Sequence, residues 1–103
     1  MRWEKIESHP RYSVSVKGHV RNDWTEKCLK HQRSKRGGMY PFVNLYNKGE
    51  RVNRTVHGLV AKAFLGPTPK GCHIDHKDSN IDNPALSNLQ FLTVKENMAK
   101  RRS

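Results

Sequence analysis

The chain has 103 residues, 34% of them hydrophobic, which limits it to one domain with a small core. Its 20 lysines and arginines outnumber 9 acidic residues and give a formal net charge of +11 at pH 7. An excess of this size in a small domain is typical of a protein that binds nucleic acid. The sequence has no long basic amphipathic helix, which argues against a membrane-surface protein. A ribosomal or histone-like binder stays open as the alternative.

The cysteine pattern and the N-terminus indicate the cellular compartment in which the protein acts. Cys28 and Cys72 are isolated and form no CxxC pair, which is typical of a reducing environment rather than a disulfide scaffold. The N-terminus has no apolar signal-peptide core, and no apolar run approaches the length of a membrane span. We therefore expect the protein to act in the cytoplasm.

The N-terminal third shows the alternation of a small antiparallel sheet. Apolar and polar residues alternate over 12–16, residues 17–18 are a predicted turn, and 19–21 are the predicted returning strand. A further short strand is predicted over 27–31. We expect the aromatic residues to form a small hairpin core, and Trp24 either packs there or lies at the surface.

A basic segment that ends in glycines, residues 32–38, is predicted to be a loop. Its like charges Arg33, Lys35 and Arg36 would repel one another unless an anion lies beside them. We predict that as a group they contact DNA phosphates. A merely solvated loop is the alternative, because a run of charge is compositional evidence alone.

Residues 40–46 and 51–56 are predicted to form a second hairpin around a turn at 47–49. Val43 and Leu45 would share one face of its first strand. A twisted hairpin of this kind can enter a DNA groove. Its predicted DNA-contacting residues are Lys48, Arg51, Asn53 and Arg54.

A short helix should follow the second hairpin. Thr55 is a plausible N-cap, and Gly66 with Pro67 would end the helix. The residues of its predicted buried face are Val56, Leu59, Val60, Ala63 and Phe64. His57 lies at the rim of that face, where we interpret it as structural rather than catalytic.

The C-terminal third contains an acid, a base and two amides within a short span: Asp75, His76, Asn88 and Asn97. The adjacent Asp75 and His76 are predicted to end a strand. Neighbours on an ideal strand point to opposite faces, so the two serve one site only if a bulge or a turn occurs at this pair.

The segment after the first amide predicts a strand over 89–92 and then a helix. Thr93 is the predicted N-cap, and Glu96 three residues later completes a capping box. This places Asn97 in the first turns of the helix. The order strand, loop, strand, helix would bring that amide close to the Asp-His pair.

Two other features of this region have simpler interpretations. Residues 78–84 are rich in Asp, Ser, Asn and Pro, which are turn formers in a surface loop. His73 lies on the same predicted strand as Asp75, and we interpret it as a bystander, with a role as a spare ligand left open.

The spacing of these residues resembles the HNH motif of phage and intron-encoded homing endonucleases. The matching residues are Asp75-His76, Asn88-Leu89 twelve residues after the histidine, and Asn97 nine residues further on. The match is specific because the four positions, their spacing and the capping box all agree.

The N-terminal part resembles the NUMOD module that precedes HNH motifs in homing endonucleases. The matching residues are Trp3, Ile6, Tyr12, Val14, Ser15, Gly18, Val20 and Arg21. Residues 56–66 also resemble the stretch before the finger in this family. The sequence departs from the family at Ser79, where relatives often have glycine.

The resemblance implies an α+β fold, with small antiparallel strands and hairpins and a short helix, followed by a ββα-metal finger of the HNH, or His-Me, type. It implies that residues 1–54 form a NUMOD-like, β-rich DNA-contacting module and residues 55–103 the nuclease motif, within one compact domain. No cysteine pairs flank the motif, so the zinc-stapled version of the finger is excluded.

The resemblance also implies roles for the four polar residues. Asp75 and Asn97 would ligate one divalent metal ion, His76 would be the general base that activates water, and Asn88 would steady the loop. Mg²⁺ is favoured because it keeps several waters and takes only one or two protein carboxylates. Mn²⁺ or another transition metal is the alternative.

We therefore hypothesise a metal-dependent homing-type HNH endonuclease that nicks or cleaves double-stranded DNA, leaving 5′-phosphate and 3′-hydroxyl ends. The alternative is a non-catalytic nucleic-acid-binding domain that uses the finger as a scaffold.

One site cuts one strand, so a double-strand break would need a homodimer or two sequential events. The sequence continues into no further DNA-binding module, so we expect no long recognition site for a single copy. The expected location is a bacterial or phage-infected host cell.

Overall fold

The computed structural model describes residues 2–33 and 40–102. The predicted DNA contacts Lys35 and Arg36 lie outside the described residues. Within the described part the fold is α+β, as predicted, and is built from antiparallel strands and two short helices. Neither helix is long and apolar enough to cross a membrane.

The N-terminal part is a four-stranded antiparallel sheet in the order β1-β2-β3-β4. Its strands are β1 (Trp3–Ile6), β2 (His9–Ser15), β3 (Val20–Asn22) and β4 (Lys27–Cys28). The predicted hairpin around Val14 is confirmed, because Val14 and Val20 pair across β2 and β3 and are both fully buried. The polar residues of the alternating pattern, Ser13 and Ser15, are buried as well. The strand predicted over 27–31 is wrong in length, since β4 has two residues.

The second hairpin joins β5 (Phe42–Asn47) to β6 (Glu50–Thr55). The pairing of its ends leaves Lys48 and Gly49 as a two-residue turn with φ of 53° and 83°. Positive φ at both positions is the backbone of a type I′ turn, whose twist matches that of the flanking strands. Val43 and Leu45 are fully buried, as their predicted common face requires.

Helix α1 (Val56–Phe64) begins directly after Thr55 and lies at the centre of the core. The predicted apolar face is confirmed: Val56, Leu59 and Val60 are buried, and Ala63 and Phe64 pack against the core. Ala61 is buried in addition. The helix contacts strands of the N-terminal sheet on one side and the C-terminal hairpin on the other, so it joins the two.

The C-terminal finger consists of two strands and a helix. β7 (Cys72–His76) pairs with β8 (Leu89–Thr93), a 3-10 turn (Leu86–Asn88) precedes β8, and α2 (Val94–Arg102) follows it. This is the predicted order of strand, loop, strand and helix.

The capping box that was predicted at the start of α2 is present. The Thr93 backbone N–H donates to Glu96 Oε1 over 3.0 Å, and the Glu96 backbone N–H donates to Thr93 Oγ1 over 3.1 Å. Each bond satisfies a backbone donor that the first helical turn leaves without a partner. The box therefore defines the residue at which α2 begins, and with it the position of Asn97.

The turn between β2 and β3 packs against the loop of the finger. Gly18 has a φ of +89°, and a Cβ built on it would lie 2.5 Å from Pro84 Cγ. Close by, the Leu86 backbone N–H donates to the Val16 carbonyl over 2.7 Å. The N-terminal sheet and the finger thus meet at a position that only glycine fits without strain.

Gly18→Ala is expected to lower the free energy of unfolding by about 3 kcal/mol, because it combines a strained positive φ with a clash against a rigid ring. Urea unfolding of the purified protein measures the change.

Gly49→Ala is the matched control, because Gly49 also has a positive φ (+83°) but meets no atom within 4 Å. It should cost about 1 kcal/mol from backbone strain alone. Equal losses for the two variants would show that the contact with Pro84 contributes nothing to stability.

Candidate active site

Asp75 and His76 are the last two residues of β7. The pairing with β8 runs without a register shift to the final pair, His76 with Leu89, so there is no bulge. A turn follows at once, in which the Ser79 N–H donates to the His76 carbonyl over 2.8 Å. Because the strand ends here, both side chains line one cavity of about 190 Å³. The expected turn, rather than a bulge, allows the pair to share a site.

Asn97 lines the same cavity, from the first turns of α2. The capping box and the packing of α2 against β7 and β8 place its amide beside the end of the strand. Three of the four predicted site residues, Asp75, His76 and Asn97, therefore meet at one cavity.

Asn88 lies outside this cavity and is buried, with 7% of its surface exposed. Its Oδ1 accepts from the Asp78 backbone N–H over 3.1 Å, and its Nδ2 donates to Asp78 Oδ1 and to the Asn83 carbonyl, both over 2.9 Å. Its own carbonyl accepts from the Lys77 N–H over 2.7 Å. Asn88, at the end of the loop between β7 and β8, thus binds residues at the start of that loop and in its middle.

The loop itself is a series of side-chain turns. The Asn80 N–H donates to Asp78 Oδ1 over 2.8 Å, and the Asp82 N–H donates to Asn80 Oδ1 over 3.0 Å. The bond from the Asn80 backbone, with those from the Asn83 and Asn88 side chains, lowers the pKa of Asp78. Ser79 takes a φ of 61°, the left-handed conformation that glycine adopts readily.

Two residues that the sequence analysis did not single out bind the carboxylate of Asp75. Gln90 Nε2 donates to Asp75 Oδ2 over 2.9 Å, and Lys100 Nζ donates to the same oxygen over 2.7 Å. Burial alone would raise the pKa of Asp75, but these hydrogen bonds and the charge of Lys100 hold it below its usual value. The carboxylate is therefore ionised at neutral pH.

A sequence signal existed for both partners of Asp75. Gln90 is the residue directly opposite Asp75 in the β7–β8 register, and such cross-strand pairs interact. Lys100 lies three residues after Asn97, a spacing that places both side chains on one face of the helix.

An aromatic cluster surrounds His76. Its ring centroid lies 5.0 Å from that of His57 and 5.9 Å from that of Tyr40, which is also 4.9 Å from His57. His76 Nε2 and His57 Nδ1 are buried without a hydrogen-bond partner. Burial, with His76 as the second cause, lowers the pKa of His57 to about 4, and burial also lowers the pKa of His76. Both imidazoles are neutral at pH 7.

The donor set fits a hard divalent ion that keeps most of its waters. Asp75 and Asn97 offer oxygen donors at one cavity, and Mg²⁺ in proteins typically takes one or two carboxylates and little else from the chain. Among residues 2–33 and 40–102 there is no cluster of three or more His, Cys, Asp or Glu that would form a closed metal cage.

The predicted DNA-contacting residues of the second hairpin are at the surface. Lys48, Arg51 and Arg54 are exposed on or beside β5 and β6. Arg33, from the basic loop, forms an ion pair with Asp82 in the finger loop. Trp24, left open by the sequence, is 74% exposed, and the Arg11 guanidinium lies over its ring at 3.8 Å.

The finger and the sheet that precedes it together define a class of protein. Residues 54–99 match the family model described as HNH endonuclease, and residues 1–46 match the NUMOD4 motif. The chain therefore belongs to the HNH endonuclease family and carries an N-terminal NUMOD4 motif.

Particular relatives agree with this assignment. DNA endonuclease I-HmuI of Bacillus phage SP01 is 36% identical over 100% of this chain and 59% of its own length. H-N-H endonuclease F-TflII of Escherichia phage T5 is 34% identical over 92% of this chain and 49% of its own length. The structure described as DNA binding and cleavage by the HNH homing endonuclease I-HmuI superposes with a TM-score of 0.89, covering 99% of this chain and 58% of the other. The chain thus spans about half to three fifths of the length of these relatives.

Asn88→Ala is expected to lower the free energy of unfolding by about 3 kcal/mol, because it leaves several loop groups without partners in a partly buried place. Chemical denaturation measures the loss. Asn80→Ala, which removes one exposed bond in the same loop, should cost less than about 1 kcal/mol. A loss for Asn88→Ala as small as that of Asn80→Ala would contradict the bracing role.

The stability of the protein should fall as the pH decreases from 7 to 5. The unfolded chain binds protons at the ordinary histidine pKa of about 6.5, while the folded chain keeps His57 neutral down to about 4. The stabilisation is therefore present above pH 6.5 and is lost progressively below it.

After allowance for partial exposure, His57 should contribute about 1 kcal/mol of this loss. Unfolding in EDTA at several pH values measures it, and His57→Gln should show a shallower slope than wild type between pH 7 and 5. An unchanged slope would mean that His57 titrates normally in the folded protein.

Proposed function

We propose that this chain is a metal-dependent endonuclease that hydrolyses phosphodiester bonds of double-stranded DNA. The observation that carries the proposal is the meeting of Asp75, His76 and Asn97 at one cavity at the end of a ββα finger. Two relatives, one named DNA endonuclease and one H-N-H endonuclease, match 100% and 92% of this chain and support it.

In this proposal His76 is the general base. Its lowered pKa keeps the imidazole neutral at pH 7, so that it accepts a proton from a water molecule as that water attacks phosphorus. Because Nε2 is buried, we propose Nδ1 as the accepting nitrogen. Tyr40 and His57 pack against the ring and would restrict its rotation.

Asp75 and Asn97 would hold one divalent metal ion, with Mg²⁺ favoured. When bound, such an ion offsets the charge that develops on the phosphate and on the leaving 3′ oxygen. Gln90 positions the Asp75 carboxylate through its 2.9 Å hydrogen bond, and Asn88 keeps the loop closed so that His76 stays at the end of β7. The products would be 5′-phosphate and 3′-hydroxyl ends.

The basic surface would hold the duplex. Lys48, Arg51 and Arg54 of the second hairpin are exposed and would contact phosphates or base edges, with Arg33 near the finger loop. We propose that residues 1–54 provide most DNA contacts and residues 55–103 the chemistry. One site breaks one strand, and a homodimer or a second event would complete a double-strand break in the bacterial or phage-infected cytoplasm.

Wild-type protein with Mg²⁺ or Mn²⁺ is expected to convert supercoiled plasmid to the open-circular form, and EDTA should stop it. His76→Ala should slow the conversion by about 100-fold to 10,000-fold, since it removes the general base. Agarose gels read at successive times measure the rate.

The matched control is His73→Ala, which changes an exposed histidine three residues earlier on the same strand. It should keep the wild-type rate within about twofold, as most surface substitutions do. Equal rates for wild type and His76→Ala would sink the catalytic assignment. A non-catalytic binding domain would retard the plasmid on the gel and leave it supercoiled.

A further inference from the structure

Lys100 places an ammonium group at the candidate metal site. Its Nζ lies 2.7 Å from Asp75 Oδ2 and 2.7 Å from the His76 carbonyl oxygen. The pair is shielded from water, with 27% of the Lys100 side chain and 13% of the Asp75 side chain exposed. In the protein without DNA, the carboxylate that would ligate a metal already binds a cation.

The position of Lys100 follows from the same helix that carries Asn97. The capping box fixes where α2 begins, and a separation of three residues puts both side chains over the end of β7. Both line the cavity with Asp75. The contact is therefore a defined feature of the finger rather than one of many solvated surface charges.

We propose that Lys100 competes with the divalent metal for Asp75 and so lowers the metal affinity of the protein in the absence of DNA. The proposal rests on the proposed metal role of Asp75. A carboxylate oxygen that accepts a hydrogen bond from an ammonium at 2.7 Å has that lone pair occupied, and two cations on one partly buried carboxylate repel each other. Gln90 and Lys100 both bind Oδ2, so a metal on Oδ1 would still lie close to the ammonium, and metal binding is favoured when Lys100 moves away.

DNA supplies a new partner for the displaced ammonium. A phosphate next to the cavity can accept Lys100 by a charge-assisted hydrogen bond while the metal takes its place on Asp75. Metal binding and DNA binding are then coupled, each favouring the other, and the coupling is reciprocal. The protein would bind its ion tightly only where a phosphodiester is present.

The test measures Mn²⁺ binding to the DNA-free protein, and the electron paramagnetic resonance signal of free Mn²⁺ reports how much ion is unbound. Lys100→Met should bind Mn²⁺ about tenfold more tightly than wild type, a coupling in the usual range. Lys100→Arg, which keeps the charge, should stay close to wild type. Lys95→Met is the matched control, because Lys95 is exposed on the same helix and its loss changes the net charge by the same amount.

Lys100→Gln serves as a second neutral variant if Lys100→Met unfolds, and circular dichroism checks each fold. If Lys100→Met and Lys100→Gln bind Mn²⁺ no more tightly than Lys95→Met, the competition does not exist.

Asp75→Asn separates this result from a failure of the proposed function. If Asp75→Asn keeps wild-type Mn²⁺ affinity, the metal role of Asp75 is wrong; if it loses binding while Lys100→Met gains none, only the role of Lys100 is wrong.

Discussion

The hydrogen bonds of the Asn88 side chain are the interaction on which the rest of the finger depends. One buried amide binds Asp78 through both its oxygen and its nitrogen and also reaches the Asn83 carbonyl, so that it closes the loop between β7 and β8. The two strands pair regularly up to His76 and Leu89. Closing the loop therefore fixes the end of β7, and with it the position of His76.

The electrostatics of the site follow from placing a carboxylate inside a basic protein. The chain carries a formal net charge of +11, yet Asp75 is largely shielded from water and stays ionised. Gln90 from β8 and Lys100 from α2 compensate its desolvation, and both bind the same oxygen, Oδ2. A carboxylate stabilised in this way is suited to hold a cation, and the identity of that cation is the functional question of the site.

The parts of the fold that sequence reasoning predicted well are those governed by local chemistry. The capping box at Thr93 and the apolar face of α1 each involve residues within one or two helical turns, and both are present. The turn predicted at 47–49 was one residue too long, because Asn47 still pairs with Glu50 and the link is Lys48-Gly49, with positive φ at both positions. The short β4 was overestimated because an alternating pattern says nothing about how far a partner strand extends.

The residues of the candidate site also fall into two groups, those predicted from local sequence and those brought together by tertiary packing. Asp75, His76, Asn88 and Asn97 were identified from residue types and spacing, because the strand, loop, strand and helix that carry them are contiguous in the chain. Tyr40 and His57, which pack on His76, come from segments whose place beside β7 depends on how α1 packs between the N-terminal sheet and the finger.

The sequence alone thus determined the elements, their order and the polar residues of the finger, since periodicity, caps and turns act over a few positions. Only the tertiary structure decided which distant groups meet. Lys100 binds Asp75 across 25 positions, and Gly18 meets Pro84 across a longer span. Such contacts depend on the packing of whole elements around one core, because side-chain reach and the distance between elements, not local pattern, decide whether two groups touch.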